Sequence, residues 1–176
     1  RDEQLAAAKI LGVKDVRFLP FEDGGMYDEV ALRIEIAKVI AEIKPDVVIG
    51  PDHKLYPESH PDHLRVGEAV SKAYFMCSNV NMMKSVGATQ IAKPTVLAYY
   101  FTGKPNRFVK ITKKDFEKTK AAYACFVSQC PPPDNGKSLM LYMRLKVRLN
   151  GLRSFHIRAD AFRVMHKMHV HCCGEA

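Results

Sequence analysis

No apolar run in this sequence reaches the ~18 residues that a membrane-spanning helix needs, although 47% of its 176 residues are hydrophobic. Cysteine is scarce. Five residues, an odd number, argue against a disulfide scaffold and fit a reducing, cytoplasmic setting. No G-x-G-x-x-G follows a strand-like run; only Asp23-Gly24-Gly25 comes near, which speaks against a dinucleotide-binding enzyme. There is no internal repeat, and no low-complexity stretch beyond Pro131-Pro132-Pro133. The composition excludes collagen, coiled coil and wholesale disorder, and the length suits one compact domain.

Acidic residues are missing from one region in particular. From Lys137 to His171 eight Lys and Arg face a single acid, Asp160, a net of +7 in a chain whose total is +8. Such a segment reads either as a surface for nucleic acid, a phosphorylated ligand or an acidic partner, or as a solvated helix face or an interface with a missing acidic segment. No nucleic-acid motif accompanies it, so nucleic acid is not the expected partner; with no spanning run, neither is a membrane.

What is present alternates. Residues 2–11 are strong helix formers stopped by Gly12, and Val13 to Leu19 reads as a short strand. Pro20 to Tyr27 is a turn-prone loop. Asp28 can cap a second helix, whose apolar positions Val30, Ile34, Ala37, Ile40 and Ala41 recur at helical spacing before Pro45 ends it. Asp46 to Gly50 is a short apolar run, as in a strand buried on both faces. Pro51 to Ser59 is a loop, and a third helix is expected from about Pro61 to Met76. Further on, Thr95–Phe101 and Arg107–Ile111 read as strands. Thr112 with Asp115 resembles a capping box that opens a helix through about Val127. Lys137 to Leu149 is expected as a basic helix ending near Asn150-Gly151, and Ala161–His171 is ambiguous between strand and coil. This order predicts an α/β fold, a Rossmann-like, mostly parallel sheet flanked by helices. Ligands in such folds sit beyond the carboxyl ends of the strands, so the loops 20–27 and 51–59 are candidates for one site.

The segment that carries chemistry is Glu58-Ser59-His60-Pro61-Asp62-His63. Proline favours the first helical position, which makes His60 the N-cap and puts His63 in the first turn. Two imidazoles and a carboxylate crowded there suit a metal or an acid–base site. His53, in the same loop, is a further group that could approach an ion. The tail His166-Lys167-Met168-His169-Val170-His171-Cys172-Cys173 is a rival metal candidate. His169 and His171 would share one face of a strand, but the spacing fits no common zinc-finger pattern, and a tail or interface role is preferred.

These residues resemble a known family. RDEQLAAAKILGV, KPDVVIGPDH, ESHPDHLRVGEA, YYFTGKPNRFVKIT, VSQ and ADAFRVM, spread over nearly the whole chain, are similar to the LmbE/PIG-L family of zinc-dependent N-acetylglucosamine deacetylases, and most of all to its diacetylchitobiose deacetylase-like members. The resemblance implies an LmbE-like domain over residues 1–176, with 131–176 as its basic C-terminal region. It implies Zn2+ as cofactor, with His63 as a ligand, His60 as the histidine that stabilises the oxyanion and protonates the leaving amine, and Asp62 as the group that orients His60. Arg1 and Asp23 would hold sugar hydroxyls, and His171 would reach the site of a neighbouring subunit in a homo-oligomer. The substrate would be an N-acetylated amino sugar or chito-oligosaccharide, attacked at its acetamide by metal-activated water. The family's A-H-P-D-D-E motif, which supplies the remaining ligands and the base, does not occur in this sequence. Because the chain opens on Arg1 inside a helical pattern, an N-terminal segment carrying that motif is expected to precede it. The alternative is a non-catalytic, deacetylase-like module that binds through its basic C-terminal surface.

Overall fold

The computed structural model describes residues 1–171. In chain order the elements are helix α1 (Asp2–Leu11), helix α2 (Glu29–Ile43), strand β1 (Val47–Pro51), helix α3 (Pro61–Met76), helix α4 (Val80–Ser85), strand β2 (Val96–Tyr100), strand β3 (Arg107–Lys110), helix α5 (Lys113–Tyr123), helix α6 (Lys137–Arg153), strand β4 (Ala159–His166) and the short helix α7 (Lys167–His171). A single 3-10 turn, Val127–Gln129, lies between α5 and α6. They form two compact units, one of Arg1–Phe18 with Phe108–Ala161, the other of Leu19–Arg107 with the chain from Phe162 onward.

The α/β layer expected from the alternation is present. Four strands run in the order β1-β2-β4-β3. The parallel pairing is that of β1 with β2, Val48 opposite Leu97, and β4 lies antiparallel to β2, so the sheet is mixed.

Helix α2 starts where the side chain of Asp28 accepts the amides of Val30 and Ala31, which satisfies two of the donors a helix start leaves open. It stops at Lys44, which turns left-handed (φ 54) before Pro45. Its buried face (Ala37, Ile40, Ala41) joins α3 (Val70, Ala73, Tyr74, Met76), Cys77, Met83 and Leu97 in the core of the second unit. In the first unit the buried residues Ala7 and Ala8 of α1 and Phe116 and Ala122 of α5 form the apolar layer. The Glu3 carboxylate there accepts from the Ser128 amide (2.9 Å) and hydroxyl (2.6 Å).

Four expectations need correction. Val13 to Leu19 is not a strand. The amides of Gly12 and Val13 both return to the carbonyl of Ala8, and residues 14–19 pair with no described strand; alternating side chains make a strand only where a neighbouring ladder takes up the backbone groups. β1 is buried on one face only. Val48 and Gly50 point inward, whereas Val47 and Ile49 are exposed on this edge strand. Helix α6 runs through Asn150-Gly151 to Arg153, because Gly151 is buried where a Cβ would stand 2.6 Å from the carbonyl oxygen of His156; the glycine permits close approach and does not stop the helix. Helix α5 ends at Tyr123, short of Val127, though its Thr112–Asp115 capping box is formed. The ambiguous final stretch resolves into β4 followed by α7.

At the carboxyl end of β1 sits a buried ion pair. Arg163 of β4 grips both oxygens of Asp52, with Nε to Oδ2 at 2.9 Å and Nη2 to Oδ1, and both side chains are almost wholly enclosed. The guanidinium also lies 4.6 Å from the centre of the Tyr99 ring. Burial opposes ionisation of Asp52. Hydrogen bonds from Thr102, the Lys54 amide and Arg163 outweigh it and hold the carboxyl below its ordinary range.

Candidate active site

The site is built at the N-terminus of α3, inside the second unit. His60 has extended backbone (φ −68, ψ 118) and Pro61 takes the first helical position, as the missing N–H of proline predicts. Residues three apart on a helix stand one above the other, and the rings of His60 and His63 are stacked, 4.6 Å between centroids and 26° between planes.

Each imidazole has a carboxylate beside it. His63 Nδ1 lies 2.8 Å from Glu58 Oε2, while the other Glu58 oxygen accepts the amides of Ser59 (2.9 Å) and His60 (2.8 Å). The hydrogen bond from His63, followed by that from the His60 amide, pushes the Glu58 carboxyl down to about 2. The Nδ1 of His60 stands 3.7 Å from Asp62, beyond hydrogen-bonding reach but within that of an ion pair. Asp62 faces the 20–27 loop, where its oxygens accept the amides of Gly24 (2.8 Å) and Gly25 (3.0 Å). Burial raises its carboxyl, and the Gly24 amide, Tyr27, Asp23 and the Gly25 amide together bring it below its ordinary value. Asp62 in turn, after burial, pushes the Tyr27 hydroxyl up to about 12.

The loop can lie this close because of Gly25. Its φ is +73, and a Cβ there would stand 2.7 Å from the Cβ of Pro61. Arg65, one turn into α3, donates to the carbonyl of Gly25 and pairs with Glu29 at 3.3 Å. The two loops expected at one site therefore meet at the start of α3. Phe101, just past β2, closes one side with its ring 6.0 Å from His63. Its backbone is left-handed (φ 51), a costly conformation for an aromatic residue and one that recurs at functional sites.

Of the residues singled out in the sequence, the second unit brings His60, Asp62, His63 and Asp23 together here. Arg1 lies in the first unit, where its guanidinium is 5.2 Å from the Phe18 ring. His171 packs on Phe75 (4.9 Å), which is fifteen residues along α3 from His60, or roughly 22 Å at 1.5 Å per residue. His53 packs edge-on against Tyr99, with its Nδ1 buried and unpaired; burial lowers its pKa. His169 and His171 lie on a helix rather than a strand, and Cys172 and Cys173 fall outside the described residues. Sequence reasoning assigned no role to Glu58, Tyr27, Arg65 or Phe101. For Glu58 the available signal was a lone carboxylate five positions before a histidine, and only the path of the loop turns it back.

A divalent metal would find one prepared ligand. With Nδ1 donating to Glu58, His63 keeps the lone pair of Nε2, the carboxylate–histidine arrangement common behind metal ligands. Among the described residues no three His, Cys, Asp or Glu side chains gather to hold an ion, so His63 fits as one member of a larger set.

Comparison with known proteins places these features. The profile described as PIG-L: GlcNAc-PI de-N-acetylase matches residues 1–74. Over 98% of its length the chain is 32% identical to a diacetylchitobiose deacetylase from Thermococcus kodakarensis, of which it spans 64%. It is 38% identical over 78 residues (42% of the chain and 33% of the relative) to a probable N-acetyl-alpha-D-glucosaminyl L-malate deacetylase 2 of Bacillus anthracis. The solved N,N'-diacetylchitobiose deacetylase of Pyrococcus horikoshii superposes with a TM-score of 0.86 at 26% identity, covering 99% of this chain and 66% of that one. The chain thus spans slightly less than two thirds of the length of the Thermococcus kodakarensis relative. A family profile over its first helices and the α3 histidines, an alignment over 98% of the chain and a shared fold all point the same way: this chain is similar to the PIG-L/LmbE family.

Proposed function

We propose that the protein is a zinc-dependent N-deacetylase, which hydrolyses the acetamide of an N-acetylglucosamine-type sugar, such as a chito-oligosaccharide, to acetate and a free amine. The observation that carries the reading is the 2.8 Å contact of His63 Nδ1 with Glu58, beside a second imidazole at a helix N-terminus. Relatives that deacetylate N-acetylated sugars support it.

Zinc, with His63 as one ligand, would supply Lewis acidity to the acetamide carbonyl and lower the pKa of water toward ~7. The carboxylate base that takes the proton of that water belongs to the A-H-P-D-D-E motif, which this sequence does not contain; the chain's own groups serve the ligand ring, the oxyanion and the leaving nitrogen. Glu58 fixes the ring of His63 and the direction of its Nε2. His60, half exposed above that ring, holds a proton at its imidazole, steadies the oxyanion and passes the proton to the departing nitrogen; histidine suits this because its ordinary pKa lies near neutrality. Asp62, held by the Gly24 and Gly25 amides, stands 3.7 Å from His60 Nδ1 and orients its ring. The open amides at the start of α3 add positive potential where the oxyanion develops. Asp23 and Arg1 hold sugar hydroxyls, and His171 serves a neighbouring subunit of a homo-oligomer.

The test uses full-length protein, measuring bound zinc and amine release from N-acetylglucosamine oligomers. His63→Ala is expected to lose both; turnover that survives it would remove the assigned ligand. His60→Ala is expected to keep zinc and to lose about 100-fold or more in kcat.

A further inference from the structure

We propose that the unit formed by residues 1–18 and 108–161 docks on an anionic lipid surface through α6 and the turn after it. The charge is partitioned between the units. This one holds fifteen Lys and Arg against seven Asp and Glu, a net of +8, whereas the other holds twelve of each. Helix α6 itself contains five basic residues and no acid.

Its apolar residues are not all used for packing. Leu141, Leu145, Leu149 and Leu152, at helical spacing on one face, are each more than half exposed, and Leu152 reaches 76%. Arg144 and Arg148 interleave with them, long side chains able to lie along apolar surface while keeping their charge in the headgroups. Beyond the helix the apolar surface continues: Phe155 is 98% exposed and Ile157 83%. Phe155 adopts φ 57, so an unfavourable backbone conformation presents an aromatic ring to the outside. Next to it lies a cavity of about 330 Å³ lined by Lys110, Lys113 and Arg158 together with Phe155 and Ile157, with no carboxylate in its wall.

Cations that border exposed apolar side chains match an interface of acyl chains beneath phosphate headgroups. A second copy of the same helix would set arginine against arginine. Nucleic acid would answer the charge and leave the leucines in water. No described helix is long and apolar enough to cross a membrane, so the association is one of surface contact, which a search of the sequence for spans passes over. It rests on a different unit from the α3 histidines and is independent of the deacetylase reading.

Cosedimentation of the full-length protein with vesicles tests it, comparing phosphatidylcholine alone with phosphatidylcholine containing one third phosphatidylglycerol. Binding to the phosphatidylglycerol vesicles is expected, together with its loss at high salt. Leu149→Ser with Leu152→Ser, Phe155→Ser alone, and Arg144→Gln with Arg148→Gln should each weaken it about tenfold. Circular dichroism checks folding, and should the leucine variant unfold, the fully exposed Phe155 and the arginines decide. No binding by wild type, equal binding to both vesicles, or unchanged binding by the variants overturns the proposal. So does a stable dimer that ignores vesicles and that Phe155→Ser dissociates, since a second copy would then be the occupant.

Discussion

Glu58 shows how one side chain can organise a site. One oxygen closes the turn onto the amides of Ser59 and His60 and the other fixes His63. Glu58→Gln keeps the shape and removes the charge, so zinc affinity of the full-length protein is expected to fall about 10–100-fold, read by competition with a chelator. The same carboxylate makes stability depend on pH. Its folded pKa of about 2 lies below the ordinary 4.5, so its contribution is complete above about 4.5 and is lost as the pH falls toward 2. Chemical denaturation across that window should show a smaller decline in Glu58→Gln than in wild type. His60 and His63 were legible because a three-residue interval on a proline-initiated helix is a local matter. The turn of Glu58 toward His63 was not, because it depends on how the intervening residues bend.

At the scale of elements, α3 decides whether the site exists. Its bounds follow from Pro61 and the apolar periodicity, but its seat depends on Gly67. A Cβ there would stand 2.4 Å from the carbonyl oxygen of Pro51 and 3.0 Å from the amide of His53. Gly67→Ala is expected to cost about 1–3 kcal/mol in urea denaturation, the usual range for overpacking, and to displace the 51–59 loop that carries Glu58. For α2 the cap was readable: Asp28→Ala should cost about 1 kcal/mol, measured the same way, and leave zinc binding unchanged. Glycine is the less legible signal. Gly12 ends α1 in a left-handed turn, Gly151 lets α6 pass against the segment after it, and Gly67 seats α3; the letter is the same, and the neighbours that distinguish the roles are not local.

For the molecule as a whole, the Asp52–Arg163 pair ties the end of β1 to β4 across 111 residues of sequence. Removing one member of an enclosed pair leaves the other charge without compensation. Asp52→Asn is therefore expected to destabilise by about 3–5 kcal/mol, seen as a lower denaturation midpoint. Replacing both residues by apolar ones of similar volume should cost less, because no buried charge then remains.

The sequence by itself determined what depends on short-range geometry: the alternation of helices and strands, the caps at Asp28 and Thr112, the start of α3, the pair of imidazoles there and, through motifs in order, the family resemblance. Tertiary structure alone decided the partners. It placed Asp62 against Gly24 and Gly25, 38 and 37 residues away, set β4 antiparallel beside β2, left one face of β1 open and gathered the net charge into one of two units. Backbone sterics and capping act within a few residues and leave a pattern in the letters, whereas contacts between distant segments are selected by the packing of the whole chain.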